Sequence, residues 1–164
     1  MAKINRFIAS FSEIYVDSLS KIRNRRYLDD KLIFKPCRAV VMADIDLFKN
    51  VNDTAGHQGG DKAIQKVAKL LEQSVRKDDV VIRYGGDEYM VVFFDISRED
   101  LEVKLSHLKE ELKSVKIDDS PEVRITLSFG AAFGTELVKN LISFADKALY
   151  ESKKIRDTYT IYEV

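Results

Sequence analysis

The sequence has almost no cysteine, and that scarcity removes several classes of protein at once. Cys37 is the one thiol in 164 residues. It has no internal partner for a disulfide, which argues against a cross-linked secreted scaffold and suits a reducing compartment. Neither His57 nor His107 has a partner at zinc-site spacing, so zinc is not expected. An excess of charge of one sign is also missing. The 27 Lys and Arg balance the 27 Asp and Glu, for a formal net charge of +0. The broad basic field that draws in a nucleic-acid polymer is therefore absent. No apolar run approaches the roughly 20 residues of a membrane span. The N-terminus has neither the continuous apolar core nor the small-residue cleavage site of a secretory signal. A cytoplasmic location, with no membrane contact within this chain, is the expectation. Repeats, low-complexity tracts and Pro/Gly/Ser linkers are lacking as well. So are the G-x-x-x-x-G-K-[ST] and G-x-G-x-x-G loops, two common ways of cradling a phosphate.

What is present is an ordinary globular mixture, 45% apolar and 33% charged, long enough for one domain with a real core. Residues 3–15 carry Ile4, Phe7, Ile8, Phe11, Ile14 and Tyr15 at helical spacing. Such a stripe fits a helix packed on its own domain, and equally a connector from an upstream sensor or a dimer-forming helix. The expected organisation is a connector helix over 1–15 and one domain over 16–164. A helix is predicted over 24–34, stopping before Pro36, and a buried strand over 38–43. Helices follow over 62–76, from Leu101 to Val115 and from Val138 to Leu149. Strands are predicted at 79–83, 89–95 and 123–133, with an edge strand at 159–163. Gly85-Gly86 is read as the turn joining adjacent, hence antiparallel, strands. The class is α+β, a central mainly antiparallel sheet covered by helices.

The informative polar residues stand where apolar strands give out. Asp44 closes one strand, and Asp87 and Glu88 sit on the glycine turn. Carboxylates held rigidly at neighbouring strand ends can share a divalent cation. Mg²⁺ in particular takes hard oxygen ligands, often one or two carboxylates completed by substrate phosphates. Asp46 reads equally well as a solvated turn acid. Asp46 through Asn50 is predicted to open a short helix whose free N–H groups suit a phosphate, with Lys49 adding charge. Gly85 and Gly86 let a backbone come close to a ligand.

These residues resemble a known family. Arg83-Tyr84-Gly85-Gly86-Asp87-Glu88-Tyr89 is similar to the R-[YF]-G-G-[DE]-E-F signature of bacterial GGDEF-domain diguanylate cyclases. Asp44 through Asp53 resembles the family's D-x-D-x-F-K-x-x-N-D, and Gly56-His57 with Gly60-Asp61 its G-H-x-x-G-D. Asp17 through Ser20 with Asn24-Arg25-Arg26 is similar to D-x-L-T-x-L-x-N-R-R. Ala145 through Tyr150 with Lys153 is similar to A-D-x-A-L-Y-x-A-K. The resemblance implies the GGDEF fold, akin to nucleotidyl cyclases and polymerase palms. It also implies condensation of two GTP into cyclic di-GMP by a homodimer holding one GTP per subunit. Asp44 and Asp87, with the Ile45 carbonyl, would bind Mg²⁺, for which Mn²⁺ can substitute. Asp87, Glu88 and Lys49 would form the catalytic group. Phe48 (through its backbone), Lys49, Lys153 and Arg156 would hold phosphates, and His57, Gly85 and Gly86 would belong to the same substrate site. Asn52 and Asp61 would read guanine, whose N1–H and amino donors suit a carboxylate acceptor. Arg76 and Asp79 fit the family's R-x-x-D product-inhibition site. An upstream sensor domain is a further implied partner.

Some positions depart from the pattern. Tyr89 replaces the usual Phe and brings a hydroxyl that needs a partner. Ser20 and Lys21 replace the frequent Thr-Gly. Lys153 through Asp157 is one residue shorter than A-K-x-x-G-R-N. The main alternative is a domain that binds GTP or cyclic di-GMP as a sensor with little or no catalysis. A cyclase making a mixed guanine–adenine product and a purely structural dimerisation domain are the others.

Overall fold

The computed structural model describes residues 13–164. The stripe over 3–15 and the connector helix lie almost wholly outside the described residues. In chain order the elements are β1 (Arg23–Asn24), α1 (Arg25–Tyr27), a π-helical turn (Leu28–Leu32), β2 (Pro36–Ile45) and α2 (Phe48–Ser74). Then come β3 (Val80–Arg83), β4 (Glu88–Phe93), α3 (Arg98–Leu112), β5 (Leu127–Leu137), α4 (Val138–Ile155) and β6 (Tyr159–Glu163).

Strand β2 runs through the middle because its sequence can be buried on both sides. From Ala39 to Ile45 every residue is buried, and Asp44 is the first polar one. Successive side chains of a strand point to opposite faces. Ala39, Val41, Ala43 and Ile45 accordingly join one core cluster with α2 and α3. Val40 and Met42 join another, with Leu28, Leu32 and the apolar face of α4. The six-stranded sheet has the order β1-β3-β4-β2-β5-β6. The inner pairs β3–β4, β4–β2 and β2–β5 are antiparallel. Only the outer pairs, β1–β3 and β5–β6, are parallel. The α+β expectation holds.

Several boundaries differ from the sequence reading, each for a local reason. The predicted helix over 24–34 is a short capped turn and one π-turn. Asn24 accepts from the Tyr27 N–H, and the chain leaves the turn to begin β2 at Pro36, the strand position that tolerates proline. The predicted strand over 123–133 is shifted. Val123 and Ile125 are buried, but β5 spans Leu127–Leu137, where β2 supplies the ladder. The helix read over 62–76 is the second half of α2. It joins the first half across Gly56, whose φ of 72° breaks the helix at a residue without a side chain to strain. The edge strand at 159–163 is present as β6. No helix among the described residues is long and apolar enough to cross a membrane.

Candidate active site

The end of β2 carries Asp44, which stands opposite Glu88 of β4 and Ser128 of β5 in the ladder. It shares a face with Val40 and Met42 and therefore points toward α4. There the Lys153 ammonium lies 2.9 Å from its Oδ2. Asp44 is buried, and burial pushes its carboxyl above the ordinary 3.8. The Lys153 contact opposes that push, while Asp87 and Glu88 add to it. Lys153 keeps 47% of its side chain exposed. A buried carboxylate with acidic neighbours, balanced by a half-hydrated ammonium, attracts additional positive charge.

The glycine turn is locked in place from both sides. The Tyr84 and Gly85 N–H groups donate to the Glu88 carbonyl, and the Ile45 N–H donates to the Asp87 carbonyl at 3.2 Å. That last bond sets Asp87 beside the end of β2. Arg83 donates to the Gly86 carbonyl through Nε and Nη2, at 3.1 and 2.7 Å. Its Nη1 donates to Asp17 at 2.9 Å. Burial alone would raise the Asp17 carboxyl. Bonds from the Ser20 N–H and hydroxyl, together with Arg83, outweigh burial and hold it below 3.8. Sequence reasoning assigned Arg83 no role beyond the signature. A fork-shaped donor two residues before a Gly-Gly turn was the available signal.

An open cleft of about 440 Å³ brings together Asp44, Ile45, Asp46, Leu47, Phe48, Lys49, Asn52, Asp87, Lys153 and Arg156. Helix α2 enters it at Phe48 from Leu47, a residue with left-handed φ of 52° and no side-chain cap, so its first-turn N–H groups have no side-chain partner. Glu88 is outside this lining, on the same sheet face as Asp44. Gly85 and Gly86 are outside it too. Asp61 and His57 are exposed farther along α2. Asp61 follows Gly60, where an added Cβ would strike the Asn52 side chain, so the two guanine-reading candidates are neighbours.

Asp46 is neither solvated nor free. It is buried and accepts from the Ser128 hydroxyl (2.6 Å), the Thr126 hydroxyl (2.8 Å) and the Asp157 N–H (2.9 Å). Tyr89 is fully buried, and its hydroxyl donates to the Ile64 carbonyl of α2 at 2.9 Å. Burial raises this phenol, which stays protonated. Ile64 lies inside a helix, where its carbonyl already has an N–H partner. Tyr89→Phe is therefore expected to cost about 0.5–1.5 kcal/mol, measured by urea denaturation. A loss well beyond that range would mean that the hydroxyl holds α2 against the sheet.

Arg76 and Asp79 lie away from this cleft, on a second cavity of about 360 Å³ beside α3 with Lys104 and His107. Asp79 accepts the Arg76 and Phe94 N–H groups, and the Arg76 guanidinium donates to the Asp95 carbonyl. The pair is thus part of a closed turn, with its polar edge on the cavity.

Among the described residues no three His, Cys, Asp or Glu converge as a ready cation cage. The donors near Asp44 are hard oxygens, from two carboxylates and a carbonyl. That set fits Mg²⁺ or Mn²⁺ completed by phosphate and water, and does not fit a cation held by protein alone.

The family model described as "Diguanylate cyclase, GGDEF domain" matches residues 14–158. Diguanylate cyclase A of Treponema denticola is 36% identical over 124 residues, covering 73% of this chain and 33% of that protein. Diguanylate cyclase DosC of Escherichia coli (strain K12) is 34% identical over 156 residues, covering 87% of this chain and 34% of that protein. The chain thus spans about a third of the length of these relatives. Among solved structures, the coiled coil and GGDEF domain of DgcB from Caulobacter crescentus, in complex with c-di-GMP, superposes with a TM-score of 0.85 at 26% identity. That match covers 98% of this chain and 94% of the other.

Proposed function

The chain belongs to the GGDEF-domain diguanylate cyclase family, and from that premise we propose that it condenses two GTP molecules into cyclic di-GMP. The observation that carries this reading is the convergence of Asp44 and Asp87 with Lys49 and Lys153 in one cleft. In each condensation a ribose 3′-hydroxyl gives up its proton to solvent, and its oxygen forms a bond to the α-phosphorus of the other GTP. The bond from that phosphorus to its bridging oxygen breaks, and pyrophosphate leaves. Asp44, Asp87 and the Ile45 carbonyl would hold Mg²⁺ or Mn²⁺, which when bound supplies charge neutralisation at the attacking and leaving oxygens.

The chain's own groups do the positioning. Lys49, Lys153, Arg156 and the open first turn of α2 hold the triphosphate. Lys153 is exposed enough to exchange Asp44 for a phosphate oxygen. Glu88, opposite Asp44, adds negative charge that favours a cation there. Asn52 and Asp61 read guanine, His57 lies farther out on the same helix, and Gly85 and Gly86 let the nucleotide approach the turn. Both 3′-oxygens must reach the other nucleotide's α-phosphate. One cleft on one subunit cannot provide that symmetry, so two copies face each other with one GTP each. Ordered reactants supply much of the rate in such a reaction.

Arg76 and Asp79, on the cavity beside α3, form the site of product inhibition in this reading. Arg76→Ala should raise the cyclic di-GMP concentration that halves the initial rate by about 10-fold, the loss of one charge-assisted bond pair. Unchanged inhibition would remove the assignment. The reading as a whole is tested by fusing the chain to a dimerising coiled coil and supplying GTP and Mg²⁺. Cyclic di-GMP is the expected product. A confirmed dimer that binds GTP yet makes none would leave a sensor domain in place of an enzyme.

A further inference from the structure

We propose that Asp46 is a positioning residue, which fixes the phosphate-binding end of α4 against the acidic end of β2. The proposal rests on the cyclase reading above. Its starting point is backbone strain. Arg156 has φ 66° and ψ 164°, a region that side chains other than glycine avoid, and Asp157 follows with φ 44°. Two consecutive left-handed residues, neither of them glycine, persist only where their surroundings over-determine them. Arg156 lines the cleft with Asp44 and Lys49. The strained turn therefore aims a cation at the phosphates.

The turn is bound on both flanks. The Arg156 N–H donates to the Ser152 carbonyl at 2.8 Å, and the Phe129 N–H donates to the Thr158 carbonyl at 2.9 Å. One helical turn earlier, the buried Ser152 hydroxyl bridges the Phe129 carbonyl and the Thr160 hydroxyl, at 2.7 and 2.8 Å. Between those anchors the Asp157 N–H is held by Asp46 Oδ2. Asp46 is itself immobilised, by Thr126 and Ser128 of the neighbouring chain segment. Its backbone N–H also donates to the Thr126 carbonyl at 2.9 Å. A carboxylate that accepts three bonds in a buried setting is a rigid fitting.

The consequence is geometric. Asp44 lies at the end of β2, and Asp46 is the first residue beyond it. The first meets Lys153 of α4, and the second holds the turn that carries Arg156. One strand end thereby sets both the acid proposed for the cation and the two cations proposed for the phosphates. Asp46 lines the cleft, but both its carboxylate oxygens are engaged within the protein, by Ser128, Thr126 and Asp157. Its effect on the reaction runs through Arg156 and Lys153, and it should appear in nucleotide affinity ahead of turnover.

The test uses the coiled-coil dimer of the full chain as wild type, Asp46→Ala and Asp46→Asn. Steady-state rates with GTP and Mg²⁺ are paired with binding of 3′-deoxy-GTP, which lacks the attacking oxygen. Asp46→Ala should raise the KM for GTP and the Kd for 3′-deoxy-GTP by about 10-fold, with kcat changed by no more than about 3-fold. Asp46→Asn keeps an oxygen for the Asp157 N–H and should stay within about 3-fold of wild type on both. Hydrogen exchange of the Asp157 amide should be slow in the wild type and fast in Asp46→Ala. The inference is overturned by Asp46→Ala with wild-type affinity, or by a fall confined to kcat. Should that variant fail to fold, the wild type decides alone, because rapid exchange at Asp157 would itself overturn the inference. A wild type that makes no product sinks the cyclase reading, while the 3′-deoxy-GTP ratio still decides the role of Asp46.

Discussion

Asp44→Asn should reduce cyclic di-GMP formation by about 10³-fold while leaving the domain at least as stable as the wild type. The two halves of this expectation have one cause. Asp44 is a buried carboxylate beside Asp87 and Glu88, and the fold pushes its carboxyl above 3.8. A group whose folded pKa is raised favours folding in its protonated form. Ionised, at neutral pH, it costs stability, and that cost disappears as pH falls through the folded pKa. Asparagine keeps the shape and removes the charge. Lys153 loses its partner but is half exposed and can be hydrated, so little is forfeited there. The same charge is what would hold a divalent cation at the reacting phosphates, and an amide does not replace it. Product quantified by chromatography and stability from urea denaturation check both halves. More than a tenth of wild-type activity, or a large loss of stability, would contradict the account.

Gly130→Ala should destabilise the domain by about 3 kcal/mol, at the upper end of ordinary overpacking. Gly130 sits in β5 directly under α4. A Cβ there would collide with the Leu149 backbone nitrogen and the Ala145 carbonyl oxygen. These are backbone atoms of a helix and cannot rotate aside as a side chain can. The helix must lift, and α4 carries Ala145 and Leu149 in the core as well as Lys153 at the cleft. For a chain of this size a loss of about 3 kcal/mol corresponds to a fall of roughly 6–12 °C in Tm. Calorimetry of the two proteins measures it. An unchanged Tm would mean that α4 rides on β5 less tightly than the geometry requires.

The sequence made the centre of the fold legible because apolar runs and helical stripes are local signals. Strand β2 carries an acid next to its last residue, α4 has an apolar face, and Gly85-Gly86 turns between two short strands. Each can be read without knowing what lies opposite. The meeting of Asp44, Asp87, Lys49 and Lys153 in one cleft followed from motif spacing and the resemblance it supports. Other features depend on distant partners. Nothing near Asp46 in sequence announces Thr126, Ser128 or Asp157, so a buried three-bond acceptor read as well as a solvated turn acid as it did as a site residue. Arg83 looked like a motif letter until Asp17 and the Gly86 carbonyl were placed around it. Val123 and Ile125 alternate like a strand and are buried like one, but the ladder with β2 begins at Leu127. Gly130 read as a strand residue, and only the nearness of α4 shows why a side chain has no room there.

The central claim is that the cleft at the end of β2 joins two GTP molecules. The most direct measurement follows GTP, cyclic di-GMP and pyrophosphate together in the coiled-coil dimers of wild type and Asp44→Asn with Mg²⁺. The account predicts one cyclic di-GMP and two pyrophosphates for every two GTP consumed by the wild type, and almost no consumption by the variant. Equal turnover by both dimers, or GTP consumed by the wild type without cyclic di-GMP, would contradict it.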